Sequence, residues 1–276
     1  MDVSTAATVD SELSTLVAAF RVHEHSELEV LMTSTVGSGG VPFNVFNKLF
    51  DSLSLAATRG VVLASAKTAI IDFHYADNVR TRYVAGKSPV SIRKTRLAKY
   101  DMVCPQRPNI CLRLNLKNET PIPVALVSES SPLLVRLQES WVFSYGGKFE
   151  YHLKKTVSGI NKQTACKSLP LYEIELELLR NPTWMAETSD DDIAANILCK
   201  MMDLCGRYTS DGTKCELTIL PRVPIALEQR LESKKIIAAR RRREQRKRKA
   251  VIVTSKARIV TSSSSSSSST TRINKK

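Results

Sequence analysis

The sequence lacks the signals of several large protein classes. No apolar run reaches the roughly 18 residues that a membrane-spanning helix requires, and the N-terminus does not show the basic-then-apolar order of a secretory signal. The six cysteines form no C-x-x-C pair and have no metal-ligand spacing with the four histidines. A glycine-rich phosphate-binding loop is also missing. We therefore expect an intracellular protein with reduced thiols and no membrane partner.

The excess of positive charge is confined to the C-terminal end. The chain has 41 Lys and Arg against 27 Asp and Glu, a net charge of +14. Residues 234–276 contain fifteen of the basic residues and one acid, Glu244, so residues 1–233 sum to zero. A tract of eight serines at 262–269 favours disorder. We predict an N-terminal segment at 1–22, a folded domain at 23–233 and a disordered, basic and Ser-rich tail at 234–276.

The tail has two interpretations. The basic cluster at 240–249 resembles a nuclear-import or RNA-attracting segment, which favours the nucleus over the cytoplasm. The alternative is a solubilising extension without a specific partner. The composition of residues 226–250 is also compatible with a long helix.

The middle of the chain has the composition of short β-strands. Eight runs between residues 60 and 179 carry this pattern: VVLAS, AIIDFHY, VRTRYVA, VSIRKTRL, NICLRLNL, SWVFSY, FEYHL and YEIELELL. Such runs without intervening helices are typical of an antiparallel sandwich or barrel. Apolar residues at helical spacing predict flanking helices near residues 13–20, 45–53 and 189–206. The expected fold is therefore mainly β with flanking helices, an α+β class.

Two of the predicted strands carry glutamates at alternate positions. The first has Glu27 and Glu29, and the second has Glu173, Glu175 and Glu177. Side chains two residues apart on a strand share a face and lie roughly 6.6–6.8 Å apart, so these carboxylates repel one another. Glutamate is also a poor strand former. A solvated acidic face is the plain explanation, and a row of ligands for a cation is the functional one.

Basic residues alternate in the same way along other predicted strands. They are Arg80 and Arg82, Lys94 and Arg96, and Arg113. A closed sheet lined by glutamates on one side and by these cations on the other suits a metal-bound polyphosphate. Carboxylate oxygens bind Mg²⁺ or Mn²⁺, and guanidinium or ammonium groups bind phosphate oxygens. This combination favours hydrolysis of a triphosphate, whereas cross-strand salt bridges are the alternative.

These motifs resemble those of the tunnel-type RNA 5′-triphosphatases of fungi, protists and DNA viruses, in the triphosphate tunnel metalloenzyme superfamily. The resemblance covers about residues 24–180 in the expected order: Glu27-Leu28-Glu29; Asp72-Phe73-His74-Tyr75 followed by Val79-Arg80; Ser91-Ile92-Arg93-Lys94-Thr95-Arg96; Arg113-Leu114-Asn115-Leu116 leading to Glu119-Thr120-Pro121-Ile122-Pro123; and Glu173-Ile174-Glu175-Leu176-Glu177. It implies a closed antiparallel eight-stranded β-tunnel in which the two acidic rows meet across a shared interior.

The resemblance also implies a role for each site residue. The metal ligands for Mg²⁺ or Mn²⁺ are Glu27, Glu29 and Glu177, supported by Glu173. The catalytic residues are Glu119, which orients the attacking water, Glu175 and Asp72, the last of which could instead support a neighbouring cation. The phosphate-binding residues are Arg80, Lys94 and Arg113.

Part of the family pattern is missing from this sequence. The strand that normally carries three cations as R-x-K-x-R keeps only Arg136 and has Gln138 and Ser140 at the other two positions. His152 stands where the family usually has an aspartate. Three nearby lysines could replace the lost cations, namely Lys148, Lys154 and Lys155.

The resemblance implies a hydrolase that removes the γ-phosphate of triphosphate-ended RNA as the first step of mRNA capping. Its partners are then 5′-triphosphate RNA and an RNA guanylyltransferase. Two alternatives stay open. One is a related tunnel phosphohydrolase for nucleotides or polyphosphate, and the other is a non-catalytic RNA-binding or scaffold relative.

Overall fold

A computed structural model describes residues 9–34, 40–124, 127, 131–206 and 216–219. The basic tail predicted at 234–276 and the helix considered for 226–250 lie outside the described residues. In the described ranges, no helix has the length and apolar character needed to cross a membrane.

Ten strands of the described chain form one antiparallel sheet. They are β1 Ser26–Thr33, β2 Leu63–Ala64, β3 Thr68–His74, β4 Val79–Val84, β5 Val90–Cys104, β6 Arg107–Ile122, β7 Leu134–Tyr145, β8 Phe149–Gly159, β9 Leu171–Leu178 and β10 Thr218–Ile219.

Eight of these strands close into a ring. The order is β5-β4-β3-β7-β8-β9-β1-β6, and β6 pairs again with β5. Strands β2 and β10 lie off the ring, on β7 and β5. The closed antiparallel arrangement of eight strands is therefore confirmed, and so is the mainly β class with helices.

Alternation along the strands separates two faces of the ring. On β1 the residues Leu28, Val30 and Met32 are buried in the hydrophobic core, and Glu27 and Glu29 point to the opposite face. Strand β9 repeats this pattern, with its apolar residues in the same core. The core thus lies outside the ring, between the strands and the helices, and the polar faces are left to line the interior.

Helices cover part of the outer face. They are α1 Val9–Val22, α2 Phe43–Thr58, α3 Lys162–Ala165, α4 Pro182–Glu187 and α5 Asp190–Cys205. The helices predicted near 13–20, 45–53 and 189–206 are thereby confirmed as α1, α2 and α5. Helix α5 begins at Ser189, whose side chain accepts a hydrogen bond from the backbone N–H of Asp192, and the acidic first turn complements the helix dipole.

Several local features differ from the sequence-based prediction. The run VVLAS contributes only the two-residue strand β2, because Leu63 and Ala64 are exposed at the margin of the sheet. A 3-10 turn at Ala76–Asn78 and the single-turn helix α3 lie between strands where no helix was expected.

Candidate active site

The interior of the ring is lined by charged and polar side chains. The strand registers place these residues on the inner face: Glu27, Glu29, Asp72, His74, Arg80, Arg82, Lys94, Asn115, Lys117, Glu119, Arg136, Gln138, Ser140, His152, Lys154, Thr156, Glu173, Glu175 and Glu177. Arg82 on β4 interacts electrostatically with Glu175 on β9, although four steps around the ring separate these strands. Residues from all sides therefore share one interior.

The acidic rows of β1 and β9 lie side by side. The two strands are antiparallel neighbours, and Glu29 is the direct partner of Glu177 in their register. The expectation that the rows meet across the interior was therefore wrong in its geometry, because adjacent strands put all five glutamates on one wall. We call Glu27, Glu29, Glu173, Glu175 and Glu177 the carboxylate wall.

Glu29 is the most enclosed member of the carboxylate wall. It is 4% exposed and accepts a hydrogen bond from Asn115 Nδ2 at 3.1 Å and an ion-pair contact from Lys117. Burial raises its pKa, and the carboxylates of Glu175 and Glu27 add to this effect, while Lys117 opposes it.

Glu27 belongs to a second cluster with β5 and β6. Lys94 Nζ lies 2.8 Å from Glu27 Oε2 and also contacts Glu119. Burial alone would raise the pKa of Glu27, but the attraction of Lys94 and Lys117 outweighs it and lowers the pKa to about 2. Burial and the nearby Glu27 raise the pKa of Glu119 despite the opposing effect of Lys94. The structure therefore brings the predicted residues Glu27, Lys94 and Glu119 together.

The remaining acids of the carboxylate wall contact cations of β7 and β8. Glu175 pairs with Lys154, whose effect overrides desolvation and lowers the carboxyl pKa. Glu173 pairs with Arg136. Glu177 Oε2 lies 3.3 Å from His152 Nε2.

His152 bridges two carboxylates. Its Nε2 is 3.2 Å from Glu150 and 3.3 Å from Glu177. Burial would lower the pKa of His152, but the close carboxylates of Glu150 and Glu177 raise it to about 9. The imidazole is therefore a cation at neutral pH, in the position where the resemblance leads one to expect an aspartate.

The arginines of β4 lie opposite the carboxylate wall. Asp72 is 1% exposed and binds Arg82 through two contacts, at 2.9 Å to Nε and 2.8 Å to Nη2. Burial would raise the pKa of Asp72, but the hydrogen bonds from Arg82 lower it. Arg80 has a longer contact, 3.9 Å from its Nη2 to Glu119 Oε1. Asp72 thus holds Arg82 in place, while Arg80 keeps capacity for another anion.

Arg113 is not brought to this cluster. Its Nε lies 2.7 Å from Asp101 Oδ1. It stands six residues from Glu119 on β6, roughly 20 Å along the strand. The predicted phosphate-binding set is therefore divided, with Arg80 and Lys94 together and Arg113 apart.

Two interior lysines stand outside the predicted set of site residues, although Lys154 was considered as a replacement for a lost cation. Lys117 contacts Glu29, and Lys154, 9% exposed, contacts Glu175. Lys154 is the cross-strand partner of Ser140, which stands where the family pattern has a cation. The lysine therefore supplies a positive charge next to the position where β7 lacks one. Of the three lysines considered as replacements, Lys154 is the one in the interior wall. The sequence signal that could have identified Lys154 is its alternation with His152 and Glu150, which puts the three side chains on one face of the strand.

The carboxylate wall suits a divalent cation by its chemistry. Carboxylate oxygens are preferred ligands of Mg²⁺ and Mn²⁺. The raised pKa of Glu29 marks a place where burial and neighbouring carboxylates disfavour its charged form, which additional positive charge would relieve. Within the described ranges, no three Asp, Glu, His or Cys side chains converge as a metal-binding group. Each glutamate of the wall instead contacts a basic side chain. The carboxylate oxygens are nevertheless of the ligand type that these metals prefer.

Acidification is expected to destabilise the protein partly through His74 on β3. Burial and the nearby Arg136 lower its pKa from 6.5 to about 4. The unfolded chain therefore binds a proton between these pH values that the native protein does not, and stability is lost as the pH falls from 6.5 towards 4. A His74→Gln variant should lose about 2 kcal/mol less over this range.

Chemical denaturation at pH 7 and pH 4.5 measures this difference. His25→Gln, at an exposed histidine in the turn before β1, is the matched control and should behave as the wild type. Equal losses of stability in His74→Gln and the wild type would contradict the prediction.

Comparison with solved structures finds the same fold in an RNA triphosphatase. The S. pombe Pct1 RNA triphosphatase matches with a TM-score of 0.57 and 14% identity over 71% of this chain and 89% of that chain. Pct1 in complex with the Spt5 CTD matches with a TM-score of 0.54 and 14% identity, over 71% and 90% of the two chains. The Mimivirus capping enzyme triphosphatase has a TM-score of 0.48 and 10% identity, over 72% and 100%.

The comparisons based on sequence found no match. No protein-family model and no curated protein matches the chain. The two Pct1 structures confirm the predicted resemblance to tunnel-type RNA triphosphatases at the level of the fold.

Proposed function

We propose that this protein is a metal-dependent RNA 5′-triphosphatase that removes the γ-phosphate of triphosphate-ended RNA. The observation that carries the proposal is the closed interior in which the carboxylate wall faces Arg80 and Arg82, with Lys94 between them and Glu27. Acids on one side and cations on the other match the needs of a metal-bound triphosphate. The fold shared with Pct1 supports the same reading.

Glu27, Glu29 and Glu177 are the residues that would hold Mg²⁺ or Mn²⁺, with Glu175 and Glu173 beside them. When bound, such an ion offsets charge on the γ-phosphate oxygens as the terminal P–O bond breaks. The lysines on the carboxylate wall balance the same negative charge. Lys117 and Lys154 therefore set how much positive charge the wall still requires.

Arg80 and Lys94 would bind the phosphate oxygens, with Arg80 on the side opposite the carboxylate wall. Arg80 has only a distant carboxylate contact, and Lys94 lies between Glu27 and Glu119 at the edge of the carboxylate wall. Glu119 would accept a hydrogen bond from the attacking water and orient it, and its raised pKa favours accepting the proton. Asp72 would act by positioning Arg82. Phosphoryl transfer depends mainly on such positioned charges.

The proposed partners are triphosphate-ended RNA and an RNA guanylyltransferase, as a first step of mRNA capping requires. The Mimivirus relative is described as the triphosphatase of a capping enzyme, and the Pct1 relative was solved with the Spt5 CTD. For this chain we further propose a nuclear location, supported by the basic cluster at 240–249.

The full-length protein should release γ-phosphate from triphosphate-ended RNA only when Mn²⁺ or Mg²⁺ is added. The measurement compares RNA, free nucleoside triphosphates and inorganic tripolyphosphate at equal concentration, with and without chelator. Preference for the small substrates would indicate a nucleotide or polyphosphate hydrolase instead. RNA binding without release of phosphate from any of them would indicate a non-catalytic relative.

A further inference from the structure

Among the buried side-chain nitrogens of the described residues that have no hydrogen-bond partner, two face each other on the neighbouring strands β3 and β4. They are Nε2 of His74 on β3 and Nε of Arg80 on β4. The two residues are direct partners in the β3–β4 register and both face the interior. An unpartnered buried polar group is unfavourable, and native proteins rarely keep one without a use.

The charges on β3, β4 and β7 around this pair are mainly positive. Arg82 and Arg136 lie close enough to act on His74 electrostatically, as does Arg80 itself. The nearest acid on β3 is Asp72, which already binds Arg82 through two contacts. That carboxylate is therefore not available to His74 as a strong partner.

The acids that approach from the other strands are also engaged. Glu173 on β9 pairs with Arg136. Glu119 on β6 lies 3.9 Å from Arg80 but is in closer contact with Lys94 on β5. The His74–Arg80 pair is left with unused donors in a positive environment, which an oxyanion complements.

We propose that His74 is a further phosphate-binding residue, whose imidazole joins Arg80 in holding an oxygen of the substrate triphosphate and takes up a proton from solvent as the anion binds. The inference rests on the proposed function, because it takes the same triphosphate as its ligand. It adds to the phosphate-binding cations Arg80 and Lys94 a residue whose charge changes when the anion binds.

The protonation follows from the change in the local field. In the free protein, burial and the nearby arginines hold the pKa of His74 near 4, so the ring is neutral. A phosphate in contact with the ring reverses the sign of the local potential and raises the pKa. Binding is then strongest at low pH and weakens as the pH rises through the pKa of the bound state.

Titration calorimetry with inorganic tripolyphosphate, without divalent cation, tests this directly. At pH 6, in buffers of different ionisation enthalpy, the full-length wild type should take up on the order of one proton more per bound anion than a His74→Gln variant, since the ionisation of tripolyphosphate itself is common to both. The variant keeps a side-chain donor but cannot take up a proton. It should lack this additional uptake and bind about tenfold more weakly at pH 6, with the difference vanishing towards pH 8.

The basic tail does not confuse this measurement. Its lysines and arginines are already protonated at pH 6 and are the same in both proteins. His25→Gln is the matched control and should keep the proton uptake of the wild type. Equal proton uptake by His74→Gln and the wild type, or an affinity ratio that does not change with pH, overturns the inference, as does the absence of binding.

Hydrolysis measured in parallel separates this inference from the proposed function. His74-dependent proton uptake without γ-phosphate release from any substrate leaves His74 as a phosphate ligand and defeats the proposed enzyme. Metal-dependent release of phosphate from RNA without His74-dependent proton uptake supports the proposed enzyme and overturns the role of His74 as a phosphate ligand.

Discussion

Replacing Glu27 with glutamine is expected to lower metal-dependent release of γ-phosphate by roughly 10²–10³-fold. The substitution keeps the shape of the side chain and removes one negative charge from the carboxylate wall. Lys94 loses its 2.8 Å contact with that carboxylate but keeps Glu119. The fold should therefore survive, and the loss should appear in kcat together with a higher requirement for Mn²⁺.

Glu24→Gln is the matched control for this experiment. Glu24 is exposed in the turn before β1, three residues from Glu27, so the same change of charge falls outside the interior. The control should keep wild-type activity and the same unfolding midpoint. A Glu27→Gln enzyme that hydrolyses triphosphate-ended RNA as fast as the control would remove the carboxylate wall from the mechanism.

The strand pattern of the site was predictable because alternation is a local property. The glutamates of β1 and β9 occupy every second position, which already puts them on one face of each strand. Their placement on one wall was not predictable from that pattern. It depends on the pairing of Glu29 with Glu177, about 150 residues away along the chain, and periodicity carries no information on which strands become neighbours.

The same limit explains why the contacts of several other residues could not be predicted. Lys117 and Lys154 look like ordinary strand lysines until the register sets them against Glu29 and Glu175. Arg113 fits a phosphate-binding pattern by type, but its neighbour on β5 is Asp101, which binds it. A residue's type predicts what it can bind, whereas cross-strand pairing decides what it does bind.

The carboxylate wall is therefore best understood as a balanced set of charges. Each acid that would hold a cation is also in contact with a basic side chain of the protein. Burying carboxylates without compensation is costly, so the lysines make the interior stable before any ligand arrives. A bound metal ion would act on the same carboxylates as the lysines, which gives Lys154 a measurable role in stability.

Replacing Lys154 with methionine is expected to destabilise the native protein by about 3 kcal/mol, because the partly buried carboxylate of Glu175 would lose its partner. Lys155→Met is the matched control. The Lys155 side chain is 43% exposed and lies 3.6 Å from Glu139 on the outer face, so this change should cost no more than about 1 kcal/mol. Chemical denaturation of both variants without divalent cation measures the difference.

Two further measurements identify the cause of the expected loss of stability in Lys154→Met. Adding Glu175→Gln to Lys154→Met should restore most of the lost stability, because it removes the unpaired charge. Mn²⁺ should stabilise Lys154→Met more than the wild type, because the ion supplies the charge that the lysine no longer provides. If Lys154→Met is as stable as Lys155→Met, the wall is screened by solvent and needs no internal cation. If the loss is found but Mn²⁺ does not reduce it, the cation site lies away from Glu175.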